Sequence, residues 1–393
     1  MDNGSRRLVV ATGLAIAIYG MAATVLGTLL PELSKTLTPA QSGTMASVQS
    51  VALILASFAT GPAIQRAGAK AGVLAGLTLL AAALLFLTAA HTYLALLLAM
   101  AGLGLGGGVI STSTNTLASQ LGGAGGGSGG TGGSRMLNLL NVFFGLGGLA
   151  TPALGAFLSP AALCRVIVLF AAVTLTLHAL TPALRPPPAG STMAVGNRAF
   201  TQPLFLLLCL FLFLYVGAEV GMWNWLATFL TSNGMPRDKA LHMLSFGFAA
   251  GIITGRLVAA KILARYRPAN VTLVCSVLMA LATAAVLAGS AGTAGIAIFC
   301  AGLAMAPVYP TTLGMVAEAF PKGAPTAIGV AVTMGWIGVA VSSKIIGSIA
   351  GDHPEHLGQA LLLLPAVSVL MIVVNLVFRR LLPPQSAVPA QPQ

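Results

Sequence analysis

The chain alternates long apolar runs with short polar breaks, and the length of the runs is informative. A bilayer's hydrocarbon core takes about 20 consecutive apolar residues as an α-helix. Runs of that order lie near residues 8–31, 43–64, 72–90, 93–120, 136–158 and 163–181. A second series lies near 202–231, 239–263, 270–289, 294–318, 325–350 and 358–380. Between them, TPALRPPPAGSTMAVGNRAFTQP is rich in proline, glycine and basic residues and reads as a connector. The pattern predicts an all-α polytopic membrane protein with twelve transmembrane helices in two pseudo-symmetric six-helix halves. The halves fall at residues 1–181 and 202–393, the second with a short tail, and a linker at 182–201 joins them. SRRLVV before the first run has the flavour of a signal sequence, but the run from Leu8 to about Leu30 is too long for one and reads as the first span.

Composition agrees with the pattern. The chain is 57% hydrophobic and 7% charged, against about 25% charged in soluble domains. Seven acids cannot cover the surface of a soluble protein this long. The net charge of +12 comes from basic residues in ones and twos, not from a basic stripe, so nucleic acid is not an expected partner. With a cytoplasmic N-terminus, thirteen Lys and Arg residues fall on the cytoplasmic side and four (Lys35, Arg165, Arg237, Lys239) on the other. This bias places both termini in the cytoplasm of a plasma membrane of the bacterial inner-membrane type. Arg256 and Lys344 are left inside spans.

The halves echo one another. AGLGLGGGVISTSTNTLASQL starts at 101 and AGLAMAPVYPTTLGMVAEAFP at 301, and FFGLGG at 143–148 has a fainter counterpart in MGWIGV at 334–339. Repeated six-helix units are the organisation of alternating-access transporters. The loop GPAIQRAGAK, through Gly61, Arg66, Gly68 and Lys70, resembles the signature of the major facilitator superfamily, with Gln65 where the family has Asp. Its C-half counterpart runs from Gly255 and Arg256 to Pro268. YGMAATVLGTLLPEL, LNLLNVFFGLGGLATP and YVGAEVGMWNWLATFL together resemble the fucose permease-like branch of sugar:proton symporters. The resemblance implies a secondary active transporter that moves a sugar or similar small polar solute by alternating access, coupled to protons. It also gives Gly61, Arg66, Gly68, Lys70 and Arg256 a part in gating. One departure stands out: members of this branch often carry an acid in the first or fourth span. Here the fourth has none before Asn115, and the first has only Glu32 at its end.

That leaves Glu219. A charged side chain at the bilayer centre costs about 2.5–3.5 kcal/mol on insertion scales and normally faces the bundle interior. Tyr215 and Trp223 lie four residues to either side, on its helical face; Asn224, Thr228, Gly217 and Gly221 form an adjacent one. Two roles compete for Glu219. It titrates or binds solute hydroxyls while Trp223 or Trp225 stacks on an apolar sugar face, or it holds a static ion pair with Lys344, since spans seven and eleven are expected neighbours. Lys344 could instead meet an anionic solute. Asn115, Asn138, Asn141 and Gln49 either read solute hydroxyls or bond neighbouring helices. Arg256 is expected to cap carbonyls or clamp the inner gate.

Other patterns carry less. Gly102, Gly104 and Gly107 match a dinucleotide fingerprint, but no strand precedes them and no acid follows at the ribose spacing, so they read as a packing face. GGAGGGSGGTGG at 122–133 resembles a flexible linker and lacks a phosphate loop's Lys. Cys164, Cys209, Cys275 and Cys300 have no metal or disulfide spacing and read as small core residues. No triad, metal cluster or paired carboxylates point to an enzyme, and no cofactor is expected. The expected partners are a small-molecule substrate, protons and the lipid bilayer, with the chain acting as a monomer. An efflux antiporter of amphipathic drugs or organic anions is the alternative, and a non-transporting membrane receptor or scaffold the alternative of another class.

Overall fold

In a computed structural model each of the long apolar runs is helical. The structure describes residues 3–123, 131–181, 201–263, 265–289, 293–320 and 324–382. The first six helices are α1 (Asn3–Ala23 continued by Val25–Leu33), α2 (Pro39–Ala67), α3 (Ala69–Thr88), α4 (Tyr93–Gly123), α5 (Thr131–Gly155) and α6 (Pro160–Ala179). The second six are α7 (Pro203–Ser232), α8 (Arg237–Leu263), α9 (Pro268–Ala288), α10 (Ala294–Met305 continued by Val308–Ala319), α11 (Ala324–Ala350) and α12 (Pro354–Leu381). Eleven are long and apolar enough to cross a bilayer. The described apolar part of α5, Val142–Gly155, is shorter, and that helix fills the twelfth place. The expected linker lies, apart from Thr201, outside the described residues, as does the glycine-rich segment from 124 to 130.

Among the described residues four spans depart from regular helix, α12 through a 3-10 turn at Pro354–His356 and a break at Leu361 and Leu362. α1 is interrupted at Thr24, whose hydroxyl lies 3.2 Å from the carbonyls of both Gly20 and Met21. α8 carries a π turn at Met243–Ala249, a feature that recurs at functional sites. α10 breaks at Ala306 and Pro307, where proline brings no N–H and crowds the preceding turn. Proline and glycine are tolerated in spans where neighbouring helices satisfy the freed backbone groups.

The glycines of α4, expected to form one packing face, allow close packing on three sides: Gly102 meets Ala83 of α3, Gly104 meets α2 and Gly107 meets Tyr19 of α1. A Cβ on Gly104 would stand 2.1 Å from the Gln49 carbonyl of α2, so the two helices meet backbone to backbone. At the end of the bundle where α1 begins and α12 ends, Lys70 closes α6 by donating to the carbonyls of Ala179, at 2.9 Å, and Thr181. Cys164, Cys209 and Cys275 are buried as expected, but Cys300 is exposed.

The two groups of six helices meet most closely at the opposite end, here the far face. Gly43 of α2 lies so close to Gly347 of α11 that an added Cβ would be 3.0 Å from its Cα. Beside it Ser47 donates to the Ala340 carbonyl at 2.6 Å, and the Ala40 N–H to that of Gly351 at 3.1 Å. On the other flank Ser245 of α8 donates to Leu149 of α5 at 2.7 Å, and the rings of Phe157 and His242 are 5.3 Å apart. These contacts run from the middle of the bundle to the far face, which is closed.

Candidate functional site

α7 is one unbroken helix, so at 100° per residue its faces follow directly from spacing. Gly217 packs against α11, where an added Cβ would stand 3.0 Å from the Gly338 carbonyl. Gly221 meets Leu364 of α12 instead, and neither glycine breaks the helix. Two residues beyond Gly217, Glu219 points roughly the other way, toward α8. It is half-buried, with the Tyr215 hydroxyl and the Trp223 indole N–H within hydrogen-bond reach of its carboxylate and the Arg256 charge acting on it.

The local geometry explains why these groups meet. Gly255 of α8 seats against α10, where an added Cβ would be 2.6 Å from both Ala306 Cβ and the Leu303 carbonyl. Close approach of the two backbones brings Arg256, the next residue, into the same neighbourhood as Tyr309 of α10, on which the charges of Glu219 and Arg256 both act. The α10 break presents the Met305 carbonyl to Tyr215, which donates to it at 2.8 Å while being wholly buried. Trp223 stands edge-on to Phe248, with ring centroids 5.1 Å apart at 76°. Its far edge crosses to the other half, 3.6 Å from where a Cβ on Gly148 of α5 would be. Of the two tryptophans only Trp223 stands at the site, because Trp225 is buried in the core.

From the first half Tyr19 of α1 comes within electrostatic reach of Tyr309. The cluster therefore draws on both halves at the seam. Two cavities, of about 390 and 160 Å³, lie elsewhere, along the α7–α11 contact. The larger, lined by Phe205, Cys209, Phe213, Val330 and Met334 among others, offers a solute no strong hydrogen-bonding side chain.

Several expectations need correction. Lys344 does not pair with Glu219. Its Nζ donates to Thr44 of α2 at 2.8 Å on an exposed part of the far-face seam. α7 and α11 are neighbours, but Glu219 is on the side of α7 away from that contact. Arg256, expected to cap carbonyls or clamp the inner gate, also supplies the charge that acts on Glu219. Asn224 is buried, Gln49 half-buried, and Asn115 exposed on α4. The side chains of Asn138, Asn141 and Gln65 lie outside the described residues. In the signature loop Gly68 has φ of +83°, which favours glycine, Arg66 is exposed, and Gly61 faces open space. Tyr19 and Tyr309 were not singled out by sequence. The repeat offset offers a signal for one of them: Tyr19 lies 219 − 19 = 200 residues before Glu219, the same spacing as the repeated stretches at 101 and 301.

This arrangement of twelve helices around a seam matches a known family. Residues 12–343 fit the sequence profile of the Major Facilitator Superfamily. The chain belongs to the major facilitator superfamily. Among curated proteins, Bypass of stop codon protein 6 of Saccharomyces cerevisiae is 25% identical over 163 residues, 38% of this chain. That match spans about a third of the yeast protein, 32% of its length. Among solved structures, a mutant of the nucleoside transporter NupG superposes with a TM-score of 0.77 at 16% identity, covering 96% of this chain and 100% of that one. A D-xylose-proton symporter gives 0.74 at 12% identity, over 96% and 98% of the chains. The E. coli fucose:proton symporter FucP gives 0.65 at 18% identity, over 94% and 98%. At these identities the likeness establishes the fold, and this member of the superfamily is a multi-pass membrane transporter by family.

Proposed function

We propose that this facilitator moves a sugar-like or nucleoside-like neutral solute by alternating access, coupled to protons through Glu219, with both termini in the cytoplasm. The observation that carries the reading is that Glu219 has a partner for each of its protonation states. As an anion it has the Trp223 N–H and the Arg256 charge. As a neutral acid it can donate to the Tyr215 oxygen, because the proton of that hydroxyl already points to the Met305 carbonyl. An intramembrane acid served in both states is suited to cycling between them.

The far face is closed in this conformation, and on the proposed reading solute reaches the site from the other end of the bundle, the cytoplasmic one under the proposed orientation. Trp223 ties the two events together, since the residue that donates to Glu219 also touches α5 across the seam. When Glu219 takes up a proton it loses its charge and its hold on that N–H weakens, and on this reading the change is passed to the contact between the halves. The solutes named for the structural neighbours, a nucleoside, D-xylose and fucose, support a polyhydroxylated substrate. Arg256 favours a second reading, transport of an organic anion that takes the carboxylate's place.

Purified protein in proteoliposomes tests the proposal. Glu219→Gln should reduce accumulation driven by a pH gradient at least tenfold while leaving exchange of labelled solute intact. Unaltered accumulation would remove Glu219 from the coupling. Stabilisation in thermal-shift screens by carboxylates, and not by sugars or nucleosides, would transfer the reading to anions.

A further inference from the structure

Tyr19 is held more firmly than its hydroxyl warrants. The ring is 5% exposed, packed against Phe144 of α5 at 5.3 Å and 52°. On its other side it lies where Gly107 of α4 leaves room, 2.7 Å from the position a Cβ would take. Three helices of one half thus fix the ring. Yet among the described residues its hydroxyl has no hydrogen-bond partner. Buried polar groups are nearly always paired, and each exception calls for an explanation. Tyr215, likewise buried, has a carbonyl at 2.8 Å.

The surroundings of Tyr19 point to a ligand. Tyr309 from the opposite half is within electrostatic reach of it, and Glu219 and Arg256 act in turn on Tyr309. The two tyrosines therefore flank the seam beside the charged pair. A phenol both donates and accepts, which suits a solute hydroxyl better than an ion. Arg256 and Glu219 already answer each other's charge, which leaves the tyrosines to recognise a neutral group.

We infer that Tyr19 is a specificity-determining residue, whose hydroxyl is paired by a hydroxyl of a neutral polyol that enters between it and Tyr309. The inference rests on the transport reading above. It assigns the first half the recognition of the solute, while the second half handles the proton.

The test measures binding of D-xylose and uridine, and of their single-deoxy analogues, to the full-length protein and to Tyr19→Phe. For the probe that the parent binds, Tyr19→Phe should weaken Kd roughly 10- to 100-fold, the range expected when a buried partner is left unpaired. One deoxy analogue should bind parent and variant equally, because it lacks the hydroxyl that Tyr19 meets. Tyr309→Phe should show its own loss with selectivity altered in the same series. The ligand-free Tyr19→Phe protein should melt no lower than the parent, since the substitution removes an unpaired buried hydroxyl. Equal losses for every analogue, or a lower ligand-free melting temperature with selectivity unchanged, would make the hydroxyl structural and overturn the inference. If the parent binds the probes and Tyr19→Phe binds them as well, the inference fails and the transport reading stands. If the parent binds none of them, the neutral-polyol reading fails and takes the inference with it.

Discussion

The middle of the bundle and the far-face seam each hold a cation embedded in an apolar span, and the two are used differently. Arg256 sits where α8 and α10 touch through glycine, half-buried, acting on Glu219 and Tyr309. Lys344 sits where α2 and α11 touch through Gly43 and Gly347, exposed, and donates to a neutral threonine. In both places small residues bring backbones together and leave the next cation at the edge of the contact. What differs is whether an acid shares that edge. A half-buried pair draws on a low dielectric, whereas an exposed hydrogen bond contributes about 1 kcal/mol or less. Helical face, more than helix adjacency, decides which cation meets the acid.

The largest expected effect follows from removing the cation at the middle. Arg256→Ala removes the charge that acts on Glu219; breaking a fully buried contact pair from one side costs roughly 3–5 kcal/mol. Half-burial and solvent screening place the expected loss below that range, at about 2–3 kcal/mol. Adding Glu219→Gln to Arg256→Ala should recover most of it, because no lone charge is then left. Thermal melting of the two variants in detergent measures both, and a double variant no more stable than the single one would separate the two residues energetically.

A smaller effect is expected at the seam, from bulk and not from charge. In Gly347→Leu the new Cβ would stand 2.6 Å from the Pro39 carbonyl and 3.0 Å from Gly43 Cα. Overpacking of this kind costs about 1–3 kcal/mol, and opening the seam relieves it. Ser343 is wholly buried beside that contact. A thiol introduced as Ser343→Cys, with the four native cysteines replaced, should react several times faster with a membrane-impermeant reagent in the Gly347→Leu background. Equal reaction rates in the two backgrounds would mean that the Gly43–Gly347 approach does not hold the far face shut.

How far these two regions could be read in advance follows from what hydropathy records. Twelve spans and the six-helix repeat were legible because span length and repeat offset are one-dimensional quantities. Glu219 was legible for the same reason, an acid in the apolar run that begins at Pro203. Its partner was not, because choosing between Arg256 and Lys344 requires knowing which side of α7 faces which helix. Gly217 holds that answer only once it is seen against α11. Tyr19 and Tyr309 were hidden differently: a tyrosine in an apolar run disturbs neither hydropathy nor charge, and an unpaired hydroxyl shows only in three dimensions.

The smallest effect should come from Lys344, and its smallness is the test of the comparison. Nζ is exposed and its partner Thr44 is neutral, so Lys344→Ala removes one hydrogen bond that water can replace. Stability should fall by about 1 kcal/mol or less, and gradient-driven accumulation should stay within about twofold of the parent. An exchange of charges, Glu219→Lys with Lys344→Glu, should be as inactive as Glu219→Lys alone, because the side chains occupy different faces of the α7–α11 contact. Measured uptake in proteoliposomes decides it. If the exchanged protein regains transport, or if Lys344→Ala disables coupling as fully as Glu219→Gln, then the acid turns toward α11 at some point in the cycle. In that event the two cations alternate on one carboxylate, with Arg256 holding it in the conformation described and Lys344 in the other.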